Sequence, residues 1–114
     1  MNNELLTASL TEEEVEIAKV FARSIAGHVG EGNAITSVAI GKAFQDKFKI
    51  KVEGPRLRKI VNYIRLNKMV RGLVATSNGY YVEKDRDALA RYVESLKSRA
   101  GAILEVAESY RDEL

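Results

Sequence analysis

Apolar residues set a helical rhythm over residues 55–67, which begin PRLRKIVNYIRL. Leu57, Ile60, Val61 and Ile64 recur at i, i+3, i+4 and i+7, the spacing that buries one face of a helix. The remaining positions carry Arg56, Arg58, Lys59, Asn62, Tyr63 and Arg65, with no acid among them. Gly54-Pro55 marks the start, because proline at the first helical position gives up an N–H that would be unpaired there anyway. Upstream, TEEE at residues 11–14 is a capping-box pattern and predicts a helix over residues 12–26. Its expected buried stripe is Val15, Ala18, Phe21, Ala22 and Ile25, with Ile17 beside it.

Between these helices, residues 27–33 hold three glycines and predict a loop, followed by a very short strand at residues 34–36. Thr36 and Ser37 are N-caps for a helix over residues 38–48, with Ile40, Ala43, Phe44 and Phe48 facing inward. Residues 49–54 alternate polar and apolar, which predicts an extended connector. LVATSNGYYV at residues 73–82 predicts a hairpin turning at Asn78-Gly79, since a type I′ turn needs positive φ at both central positions. Tyr80 and Tyr81 then point to opposite faces, one into the core and one out. The last pattern is a helix over residues 85–114. Leu89, Val93, Leu96, Ala100, Ile103, Ala107, Tyr110 and Leu114 follow a 4-3 spacing for more than three heptads.

The elements predict a mainly α chain with a small β-hairpin: a winged helix-turn-helix with a long C-terminal helix. Residues 1–10 form an N-terminal arm, residues 11–83 the winged domain, and residues 84–114 a helix for dimerisation. The alternative for that helix is packing on its own domain.

Charge sharpens this picture. The net charge of +2 conceals a strong asymmetry. Residues 42–72 carry ten bases and two acids, while the segments on either side are net acidic. One polyanion-facing surface is the expected consequence. There is no cysteine and a single histidine, His28, so thiolate sites are excluded and no metal or other cofactor is expected. No paired carboxylates, nucleophile elbow or phosphate-cradling glycine loop is present, and neither catalysis nor a small-molecule substrate is expected. No apolar run has the length of a membrane span and the N-terminus lacks a signal pattern, so a cytoplasmic protein with no membrane partner is expected, nucleoid-associated if DNA-bound.

VEGPRLRKIVNYIR at residues 52–65, followed by SNGYYV at residues 77–82, resembles small winged-helix proteins encoded by bacterial phages and prophages. In that group an AITS segment leads into the second helix. A G-x-x-[IVL]-R-x-[IV]-[IV]-N-x-[IL]-R pattern forms the third, and a GYY wing precedes a long C-terminal helix. Residues 34–37 read AITS here, and Gly54, Leu57, Arg58, Ile60, Val61, Asn62, Ile64 and Arg65 match the central pattern. The resemblance implies the fold and a DNA-binding role in phage replication or transcription regulation. The chain departs from the group at FKIKVEG, residues 48–54, where the turn is longer and more basic.

The expected partner is double-stranded DNA, with helix 55–67 in the major groove and a homodimer formed through Leu89, Val93, Leu96, Ala100, Ile103, Ala107 and Tyr110. Lys42, Lys47, Lys49 and Lys51 contact phosphates near the turn, and Arg56 and Lys59 anchor the front of the helix. Arg58 and Asn62 are the candidates for base edges, because arginine pairs bidentately with guanine and asparagine with adenine. Tyr63 reaches a phosphate or sugar, and Asn78, with Ser77, reaches the backbone from the wing tip. Other placements stand beside these: Arg58 or Arg65 paired with acids of the C-terminal helix, Asn62 bridging within the domain, and Tyr63 packing. The alternative function is a winged-helix adaptor that binds protein without reading DNA sequence.

Overall fold

The computed structural model describes residues 9–114, and the expected arm lies outside them except for Ser9 and Leu10. The chain is mainly helical, with a two-stranded antiparallel hairpin and a long C-terminal helix. It divides into two units, one ending at Lys84 and one spanning Asp85–Leu114.

Helix α1, Glu12–Ile25, begins with a complete capping box. The Thr11 hydroxyl accepts from the Glu14 N–H at 3.1 Å, and the Thr11 N–H donates to Glu14 Oε1 at 3.1 Å. Ile17, Ala18, Phe21, Ala22 and Ile25 are buried. Val15 lies on the rim of this stripe rather than within it, because Glu14, Ala18, Phe21 and Ile25 define its centre line. Leu10 packs against the same core.

Helix α2, Ser37–Phe48, is capped by the Thr36 hydroxyl, which accepts from the Ala39 N–H at 3.1 Å. It buries only Ile40 and Phe44. Ala43 and Phe48, expected inward, are exposed: both lie beside an open apolar cleft between α1 and α2. Gly41 lets the connector approach closely, since a Cβ there would sit 3.0 Å from the Val52 carbonyl oxygen. Val52 is buried in that connector and Lys51 beside it is exposed, as the alternation predicts. Helix α3, Pro55–Leu66, buries Leu57, Ile60, Val61 and Ile64, the four residues its spacing marks. It packs mainly against α1.

Strands β1, Leu73–Thr76, and β2, Gly79–Val82, pair with Leu73 opposite Val82 and Thr76 opposite Gly79. The two loop residues are therefore Ser77 and Asn78, one position earlier than the Asn78-Gly79 turn expected from sequence. The reason is tertiary. Ile35 exchanges both backbone hydrogen bonds with Tyr80, each at 2.9 Å, adding a third, single-residue rung beside β2. A Cβ on Gly79 would lie 2.4 Å from the Ile35 carbonyl oxygen, and Gly79 has φ 118°. The glycine serves this close approach, not the turn centre. Gly79→Ala is expected to destabilise the chain by more than about 2 kcal/mol, combining backbone strain with a main-chain clash; urea unfolding checks it. Tyr81 is buried, whereas Tyr80 is half-buried and meets Phe21 edge-on at 6.5 Å, so neither tyrosine is fully exposed.

Helix α4, Arg86–Ser109, starts with the Asp85 carboxylate accepting from the Asp87 N–H at 3.1 Å. Its 24 residues span about 36 Å. It stops short of the expected residue 114. The Ser109 hydroxyl donates to the Val106 carbonyl at 2.6 Å, competing with the helical ladder, and a 3-10 turn takes over at Arg111–Glu113. Tyr110 and Leu114, the last two positions of the apolar seam, fall beyond the α-helix. None of the helices is long and apolar enough to cross a membrane, among the described residues.

Candidate nucleic-acid interface

The outward face of α3 follows from its inward one. With Leu57, Ile60, Val61 and Ile64 buried, Arg58 and Asn62 come to lie one turn apart on the opposite side, with Leu66 a turn further on. Arg58 is exposed and Asn62 half-exposed. Neither side chain forms a hydrogen bond or ion pair with any described residue. A guanidinium and a carboxamide thus project side by side with their donors and acceptors unspent. Arg65 differs: its Nε donates to the Leu73 carbonyl at 3.3 Å and ties the end of α3 to β1. Tyr63 packs against the core.

Two residues assigned to phosphates by sequence have other work. Arg56 donates from Nε to Glu14 at 2.9 Å, from Nη2 to Glu13 at 2.8 Å and from Nη1 to the Lys51 carbonyl at 2.7 Å. Lys59 Nζ lies 3.0 Å from the other Glu14 oxygen. Glu14 is only 4% exposed, the one charged residue buried among those described. Burial alone would raise its pKa. The Thr11 N–H, Lys59 and Arg56 outweigh that effect and lower it from 4.5 to about 2. Its hydrogen bonds to the Glu13 and Glu14 carboxylates in turn raise the Arg56 pKa. This cluster clamps α3 to α1. It removes Arg56 and Lys59 from the surface set and neutralises part of the basic block. Nothing in the local pattern around Arg56 signals its acidic partners, which lie more than forty residues away. The available clue was Glu14 itself, in register with the buried Ala18, Phe21 and Ile25.

The lysines divide as well. Lys42 pairs with Asp46 at 3.3 Å and Lys51 with Glu53 at 3.7 Å, both exposed. Lys49 adopts φ 56° at the end of α2, and its side chain donates to the Asp46 carbonyl at 3.4 Å. Lys47, Lys68 and Arg71 are exposed and have no side-chain partner among the described residues. Lys68 and Arg71 follow α3 directly; sequence reasoning counted them in the basic block but assigned them no role. Exposed ion pairs are weak, so Lys42 and Lys51 can exchange their partners for a phosphate at small cost.

Asn78 is also engaged within the fold. Its Nδ2 donates to Glu31 Oε2 at 2.8 Å, and Thr76 donates to the same oxygen at 3.2 Å. The hairpin tip thus carries a carboxylate beside it, which disfavours phosphate contact there. His28 is held by its own loop, its Nδ1 donating to the Asn33 carbonyl at 2.8 Å. No group of three or more His, Asp or Glu residues that could hold a metal occurs among the described residues. The cleft between α1 and α2 holds about 110 Å³ and is lined mainly by apolar side chains. That is small beside the roughly 300–1,000 Å³ of typical small-ligand sites.

No family model matches this chain, and neither curated proteins nor solved structures give a match.

Proposed function

We propose that the chain is a winged helix-turn-helix protein that binds double-stranded DNA through α3 in the major groove. In this reading α2 and α3 form the helix-turn-helix, the β1–β2 hairpin is the wing, and two copies associate through α4. The observation that carries it is the Arg58–Asn62 pair on α3, which has no side-chain partner among the described residues. These two side chains have the chemistry to read guanine and adenine edges. Lys47, Lys49, Lys68 and Arg71 supply phosphate contacts that fix the register. The wing contributes little, because Asn78 is spent on Glu31. The resemblance of residues 52–65 and 77–82 to phage and prophage winged-helix proteins supports a transcription or replication factor of a phage or mobile element.

A second reading is an adaptor that binds another protein. Leu66 favours it: 60% exposed, it extends the Arg58–Asn62 stripe with an apolar anchor that a groove does not require. Selection from a random duplex library separates the two. Enrichment of a short motif supports base reading; no enrichment, together with capture of one protein that survives nuclease treatment, supports the adaptor.

A further inference from the structure

Taken by itself, α4 buries none of its residues, and its apolar seam is exposed from Val93 onward. Val93 and Leu96 are about 40% exposed and Ile103 is 71% exposed. The flanking Leu104 and Val106 are 61% and 57% exposed. The seam also has an internal order. Bulky and small positions alternate in its middle: Leu96, Ala100, Ile103, Ala107. Paired in parallel, this stretch sets leucine on leucine and alanine on alanine, so crowded layers alternate with voids. Reversing one helix changes the match. Leu96 then meets the partner's Ala107, and Ala100 meets the partner's Ile103. In the same register Val93 faces the partner's Tyr110. The Leu96–Ala107 and Ala100–Ile103 layers each combine a large with a small side chain, which evens the interhelical distance across the middle of the seam.

Charge selects the same direction. Residues 85–99 hold four bases and three acids, net +1, whereas residues 100–114 hold one base and four acids, net −3. A parallel pair sets the acidic halves side by side; an antiparallel pair sets each against the basic half. The flanks fit too. In the reversed register Lys97 passes the partner's Leu104 and Arg99 passes the partner's Val106. Their methylene stems cover these exposed apolar residues while their charges stay in solvent.

We propose that a second copy of the chain docks on α4 in the antiparallel sense, with Leu96 against the partner's Ala107 and Ala100 against the partner's Ile103. The pairing rests on the α4 association included in the proposed function and gives it a direction and a register. The absence of cysteine makes the test clean. Leu96→Cys and Ala107→Cys chains, one carrying a size tag, are oxidised separately and mixed. A disulfide-linked band is expected in the mixture and in neither variant alone. Two Leu96 positions in the antiparallel pair lie about 16 Å apart along the axis, beyond the roughly 7 Å limit for a disulfide. A band from Leu96→Cys alone overturns the antiparallel direction. No band in any sample, with a dimer mass for the unmodified chain by light scattering, overturns the register but not the dimer. A monomer mass at high micromolar concentration overturns both. Val93→Cys mixed with Tyr110→Cys repeats the test should either first variant lose helical signal.

Discussion

Replacing Arg58 and Asn62 together by alanine is expected to lower affinity for the preferred duplex by about 30- to 1,000-fold, equivalent to about 2–4 kcal/mol. Affinity for unrelated duplexes should fall only a few-fold, because one charge is lost. Stability should stay within about 0.5 kcal/mol of the parent, since neither side chain has a partner among the described residues and neither is buried. Anisotropy titrations against a selected and a scrambled duplex give both numbers. Lys47→Ala with Lys49→Ala serves as the contrast: both duplexes should weaken alike. If the two double variants show the same profile, Arg58 and Asn62 do not read bases.

Glu14→Gln is expected to destabilise the fold by about 2 kcal/mol. Glutamine can keep the capping box, but Arg56 and Lys59 lose the charge that holds them. The effect depends on pH in a defined direction. The folded-state pKa of Glu14 is depressed to about 2 from 4.5. Its contribution is therefore fully present above about pH 4.5 and is lost as pH falls toward 2. The size of that contribution is on the order of 1–3 kcal/mol, reduced from the full shift because solvent reaches the Arg56 and Lys59 ends. Urea unfolding at a series of pH values should show the parent losing stability across this window, with the variant changing less. Equal slopes for both would assign the acid sensitivity to other carboxylates.

These two predictions divide the basic block in a way that sequence alone did not. The pattern on α3 was legible because a four-residue stripe, a Gly-Pro start and an acid-free exterior are all local properties. The capping box on α1 was legible for the same reason. The partners of Arg56 were not, because an ion pair between α1 and α3 depends on how two helices meet. The hairpin was placed one residue late for a similar cause: Asn-Gly has a strong local preference, but the Ile35 carbonyl claims the space beside Gly79. On α2 the period was right and the depth was not, since Ala43 and Phe48 border an open cleft. At the end of α4 the Ser109 hydroxyl takes the Val106 carbonyl, a local contact that the heptad pattern does not carry.

One consequence concerns variants at Arg56 and Lys59. From sequence, both are expected at phosphates at the front of α3, whereas their partners in the structure make them part of the α1–α3 clamp. Weakened DNA binding in such variants reports on folding unless stability is measured alongside.

In the proposed reading, cations on and around α3 that have no side-chain partner among the described residues engage a duplex. Titrating a labelled random-sequence duplex across salt concentrations tests it most directly. Saturable binding is expected at low salt, with log K falling linearly against log salt at a slope of about −3 per bound chain, for three to four neutralised phosphates. Absence of duplex binding at low salt, or an affinity that salt leaves unchanged, would contradict the account.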